Sequence, residues 1–116
     1  MRLLGRPDEA LACYRQAVAA FRQTGNRFGE SVAITDQGQA HLELGDHERA
    51  IERSNRAVAL SREVGHRPGE AQALRLLGDA LSGSGRPDEA RANWLRTVQI
   101  YEDLGDPRAT EVRALL

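Results

Sequence analysis

The stretch GRPDEA occupies residues 5–10, returns intact at 85–90, and has a looser copy, GDHERA, midway at 45–50. Glycine sets the interval. Gly5, Gly25, Gly45, Gly65, Gly85 and Gly105 stand 20 residues apart, Gly29 pairs with Gly69 and Gly38 with Gly78 at a spacing of 40, and only Gly83 of the eleven glycines falls outside the rule. Residues 5–24 and 85–104 share eight identities in twenty, and 25–44 and 65–84 share seven. A fixed period of roughly 20–50 residues marks an array of stacked units, none of which can bury its apolar face alone.

Each 20-residue half reads as one helix and one tight turn. Ala10, Tyr14, Ala17, Val18 and Phe21 recur at helical spacing, as do Ala90, Trp94, Val98 and Tyr101, and the alternation of a strand is absent. The spacing predicts helices over 7–23, 28–44, 47–64, 68–83 and 87–104, then a short one over 108–115. Within the phrase, the glycine releases the chain from the preceding helix in a left-handed conformation. Pro7 and Pro87 take the first helical position, which needs no N–H. Asp8-Glu9 and Asp88-Glu89 set negative charge on the positive end of the helix dipole. Ala10 and Ala90 let two helices approach closely, and Asp46 supplies a true N-cap in place of the proline. Every residue of the phrase is structural punctuation, and none needs a chemical role.

Composition bounds the rest. A chain of 116 residues with 28% charged, 41% hydrophobic and only 4% aromatic residues fits one α-helical domain spanning 1–116. Sixteen basic and 17 acidic residues leave a net charge of −1, so direct nucleic-acid binding is not expected. All the basic residues are Arg, a composition that a GC-rich genome explains. Cys13 cannot form an internal disulfide, and reads as a small semi-buried hydrophobe. The longest apolar run, Ala17 to Phe21, is far too short to span a membrane. No paired carboxylates, nucleophile–base pair, phosphate loop or metal-ligand spacing is present, so no catalytic, cofactor or metal residues are expected. Gly83-Ser84-Gly85 lacks the lysine of a phosphate-binding loop and reads as a loose turn.

The small-residue pattern carries a resemblance. Gly38 with Ala50 and Ala57, and Gly78 with Ala90, together with Leu74, Leu77, Leu81, Tyr14 and Trp94, resemble the signature positions of the tetratricopeptide repeat, in its long 40-residue variety. The resemblance implies a right-handed superhelical stack of antiparallel helix pairs, an all-α solenoid of five long helices and a short C-terminal one. Its repeat boundaries fall near 1–24 (partial), 25–64, 65–104 and 105–116 (a capping helix). The stretch from Gly69 to Leu116 also looks like the C-terminal array of actinobacterial regulators of the antibiotic-regulatory-protein type, a bacterial, cytoplasmic class. Met1-Arg2-Leu3-Leu4 aligns with His41 to Leu44, so the chain is expected to start inside a repeat and to leave the apolar first-helix side of residues 7–23 uncovered.

By the same resemblance, first helices of successive repeats line a concave groove that holds a protein or peptide partner. The register assigns Val32, Thr35, Asp36, Gln39, Leu42 and Glu43 to that groove from one helix, and Gln72, Arg75, Leu76, Asp79 and Ser82 from the next, with Val112 and Leu115 closing the end. Long polar groups beside apolar ones suit a peptide, giving hydrogen bonds for its backbone and pockets for its side chains. With no Lys, and with Asp36 and Asp79 on the face, a carboxylate ligand is disfavoured, and Asp36, Glu43 and Asp79 favour a basic partner. The alternative is a structural role, a homodimer formed through the uncovered first-helix side. The middle repeat is oddly polar: Gln37, His41 and Ser54 stand where the next repeat has Leu77, Leu81 and Trp94. Two readings stay open there, a hydrogen-bonded cluster or a pH-sensitive joint at His41.

Overall fold

The structure, a computed structural model, describes residues 6–116. The helices are α1 (Pro7–Thr24), α2 (Arg27–Glu43), α3 (His47–Glu63), α4 (Arg67–Gly83), α5 (Pro87–Asp103) and α6 (Arg108–Arg113). The expected ends are met within two residues. Successive helices pack on one another, and α2 also touches α4. The result is an all-α array in which α2/α3 and α4/α5 are antiparallel pairs, α1 precedes them and α6 covers the far end. Gly5 and the alignment of Met1 to Leu4 lie outside the described residues.

The stops work as their sequence implies. Gly25, Gly45, Gly65, Gly85 and Gly105 all have φ between 66° and 82°, and no other described residue has positive φ. After each glycine the next N–H reaches back to a carbonyl five residues earlier: Asn26 to Phe21 at 2.8 Å, Asp46 to His41 at 2.9 Å, His66 to Ser61 at 2.9 Å, Arg86 to Leu81 at 2.9 Å and Asp106 to Tyr101 at 2.8 Å. This is the Schellman closure, which satisfies otherwise orphaned carbonyls. The starts differ more. Pro7 and Pro87 open their helices, while the side chains of Asn26 and Asp46 accept from the N–H groups of Gly29 at 2.8 Å and Arg49 at 3.2 Å.

Between stops, small residues decide how close the helices come. Ala50 and Ala90 are fully buried and Ala10 nearly so. A Cβ on Gly38 would lie 2.9 Å from Leu76, and one on Gly78 would fall on the Trp94 indole. One continuous core results, from Val18 of α1 through Ile34, Leu60, Leu74 and Tyr101 to Val112 of α6. Gly83 also has its reason: an added Cβ would strike the His47 ring, so Gly83 is a close approach of α4 to α3, while Ser84-Gly85 form the turn. Cys13 is exposed, against expectation, because Ala10, Tyr14 and Val18 turn the buried stripe of α1 elsewhere.

Repeated ion pairs lace the stack. Arg22 Nε donates to Glu30 at 3.0 Å and Arg62 Nε to Glu70 at 2.8 Å, both across a turn. Arg27 meets Glu63 and Arg67 meets Asp103, each joining a first helix to the end of its own second helix. Most are exposed and contribute little. Glu30 is the exception: only 1% of it is exposed, and Arg56 of α3 stands 4.0 Å away on the other side.

Two glycines separate backbone strain from crowding. Gly65→Ala has open space around it and costs about 1 kcal/mol through its left-handed backbone alone. Gly78→Ala is helical but drives a methyl into Trp94, and costs about 2–3 kcal/mol. Urea unfolding followed by circular dichroism should rank the two in that order.

Candidate partner-binding groove

The groove is built on α2 and α4, the first helices of the two complete pairs. Their side-by-side packing makes residues 40 apart equivalent. Val32, Thr35 and Asp36 of α2 and Gln72 of α4 line one shallow hollow of about 40 Å³, with Ser31, Ser61, His66 and Gly69. That is room for about one water, so the face is a shallow surface without a pocket for a side chain. Val32 and Gln72 are exposed at its rim. Thr35 lies at its floor, where its hydroxyl donates to the Ser31 carbonyl at 2.9 Å.

The remaining expected residues divide. Asp36, Gln39 and Glu43 line a second small hollow with Pro7, Ala10 and Tyr14, between α1 and α2. The Gln39 amide lies 3.5 Å from the Glu43 carboxylate. Leu42 is half-buried and Ser82 exposed, and neither joins these hollows. Leu76 does not line an open face: it is 3% exposed, because Gly38 leaves a gap that its side chain fills. Val112 likewise belongs to the core, and Leu115 points outward.

Arg75 and Asp79 form an ion pair on α4, Nε to Oδ2 at 3.6 Å. A third member, Trp94 of α5, donates its indole N–H to Asp79 Oδ1 at 3.0 Å. Partial burial pushes the Asp79 carboxyl above its usual range, and Arg75 and the indole N–H hold it back. The charge of Asp79 is thus answered from within, which removes it from the acidic field expected to attract a basic partner. Sequence reasoning placed Trp94 among the core aromatics and missed this bond. The signal available was Asp79 beside Gly78, the glycine on which the indole lies.

The polar middle repeat is internally satisfied. Arg53 Nη1 donates to the buried Gln37 at 3.3 Å, and the fully buried Ser54 donates to the Ala50 carbonyl at 2.6 Å. His41 is half-buried with Nδ1 3.9 Å from Asp46. Burial lowers its pKa; Asp46 and Glu52 oppose that shift, and Arg49 and Arg53 reinforce it. A histidine depressed in the fold binds fewer protons than in the unfolded chain, so its contribution is present above about 6.5 and is lost as pH falls through the folded value. Stability in urea should therefore decline from pH 7.5 to 5, and His41→Gln should flatten that part of the profile.

Among the described residues no group of three or more His, Cys, Asp or Glu is placed to hold a metal ion, and no helix is long and apolar enough to cross a membrane. Comparison with known proteins adds two findings. A family model described as the tetratricopeptide repeat matches residues 1–63 and 35–103. The regulatory protein AfsR of Streptomyces griseus is 32% identical over 98 residues, which cover 84% of this chain and 9% of that protein.

Proposed function

The chain belongs to the tetratricopeptide repeat family, and on that premise we propose that it acts as a scaffold that binds a protein or peptide along the face shared by α2 and α4. The family as a whole is a non-catalytic interaction scaffold. The observation that carries the choice of face is the pairing of exposed Val32 with exposed Gln72 across a hollow lined by Thr35 and Asp36. An apolar contact flanked by hydrogen-bonding groups, offered by two rigid helices, is what an extended or helical peptide requires. Arg75 and Asp79 continue the face by one turn, with Trp94 holding their geometry.

The likeness to a regulatory protein supports the finer reading, in which the segment serves as the C-terminal regulatory array of a larger bacterial regulator. The chain spans 9% of that relative. A partner bound here, or a sibling domain, would act by covering this surface, and the protein would work in the cytoplasm without touching nucleic acid directly.

The test is a selection of random peptides on the immobilised chain, followed by titration of those enriched. The double substitution Arg75→Ala and Asp79→Ala should weaken their binding at least tenfold while the helical circular dichroism spectrum is kept. Equal binding by parent and double variant removes the face from consideration.

A further inference from the structure

The side of the stack formed by α1, α3 and α5 carries two clefts that the repeat makes equivalent. α2 packs on α4 more closely than α3 packs on α1 or α5, so the array opens between α1 and α3 and again between α3 and α5. Leu11, Val18, Ala19 and Arg22 line the first cleft, of about 410 Å³. Ile51, Val58, Ala59 and Arg62, each 40 residues further on, line the second, of about 460 Å³, over Leu74, Leu77 and Leu81 of α4. In the first, Gln37 and His41 hold the places of the last two leucines. Either cleft takes a whole aliphatic side chain, which the hollow of about 40 Å³ on the α2–α4 face does not.

Charge marks the occupant. Arg15, Arg22 and Arg53 line the first cleft and Arg62, Arg86 and Arg96 the second, against one carboxylate, Glu89, in a chain whose net charge is −1. Four of these arginines are paired. Arg22 Nε donates to Glu30 at 3.0 Å and Arg62 Nε to Glu70 at 2.8 Å, Arg53 meets its neighbour Glu52, and Arg86 lies 3.6 Å from Glu89. A guanidinium carries five N–H donors, so bonds through Nε fix Arg22 and Arg62 on the cleft walls and leave their Nη groups for a further acceptor. Arg15 and Arg96 are exposed and have no carboxylate partner among the described residues.

We propose that the two clefts together bind an extended acidic segment of another protein, which sets one aliphatic side chain in each cleft and its carboxylates against the arginines. The clefts lie on either side of α3, about 10 Å apart by the width of a helix. In a polyproline II chain, residues three apart lie on one side at a separation of about 9 Å, so aliphatic residues at that interval reach both clefts. Nucleic acid answers the arginines less well, because no Phe, Tyr or Trp lines either cleft to stack a base. The clefts share no residue with the α2–α4 hollow and include neither Arg75 nor Asp79, so this site stands apart from the one proposed above.

The probe is a fluorescently labelled nonapeptide with leucine at its third and sixth positions and glutamate elsewhere, titrated into the intact chain by anisotropy at about 0.15 M salt. Saturable binding is expected. The double variant Arg15→Ala with Arg96→Ala should weaken it at least tenfold, and so should Ala19→Glu with Ala59→Glu, which sets a carboxylate in each cleft. All four side chains are exposed, so both double variants keep the helical circular dichroism spectrum. Replacing the two leucines of the peptide by serine should also cost at least tenfold, while Arg75→Ala with Asp79→Ala should leave binding unchanged. Absence of saturable binding overturns the proposal, as does binding that either cleft variant leaves intact. Equal binding of the serine peptide overturns it in favour of unspecific charge attraction, and displacement of the probe by single-stranded oligothymidylate at equal concentration overturns it in favour of nucleic acid. Loss of binding on Arg75→Ala with Asp79→Ala would place the peptide on the α2–α4 face instead.

Discussion

A left-handed glycine every 20 residues is the constraint on which this molecule rests. Any other residue in that conformation costs roughly 1–2 kcal/mol, and here it recurs at five described turns. Each such residue follows the end of a helix within two residues and closes the turn with a hydrogen bond from the following N–H. Because all five turns have the same geometry, helices of 17 or 18 residues, about 26 Å long, return antiparallel each time. Stacking follows from that regularity, and so does the equivalence of residues 40 or 80 apart.

Once helices must return on themselves at a fixed pitch, side-chain volume at the crossing decides the rest. Alanine at 10, 50 and 90 and glycine at 38 and 78 are the small partners. The large partners vary: Trp94 lies on Gly78, whereas Ser54 and Leu76 share Gly38. The middle repeat has lost an aromatic and two leucines and compensates with hydrogen bonds, Ser54 to its own helix and Gln37 to Arg53. A buried polar group is costly only when unpaired, so this repeat stays packed while admitting a titratable histidine. The same logic retains Glu30, a buried carboxylate held between Arg22 and Arg56.

Helix positions were legible because their signals are local. Pro7, Pro87, Asp46 and the periodic glycines act within one turn of themselves, and the structure places helix ends within two residues of the expected ones. The groove was legible only in outline. Register assigned residues to faces of α2 and α4, but it could not say which of them stay open. Leu76 is closed off because Gly38 lies opposite and leaves room for it. Thr35 sinks to the floor because it bonds its own backbone. Asp79 is paired with Arg75 and accepts the indole N–H of Trp94, which is 15 residues away in sequence and on another helix. Cys13 misled because alternate positions on an Ala-rich helix look equally apolar, and only the neighbours chosen by α1 reveal the outer face.

The amino-acid sequence by itself determined the repeat, the helix boundaries, the close-packing positions and the absence of a charge excess for nucleic acid. All of these depend on residue type and spacing along one chain, and glycine and proline constrain the backbone whatever surrounds them. Only the tertiary structure decided which candidate groove residues face solvent, which carboxylate an indole holds and which of two equivalent valines, Val32 or Val112, is covered. Those outcomes depend on what lies across the interface, and identical positions in a repeat differ only in their neighbours.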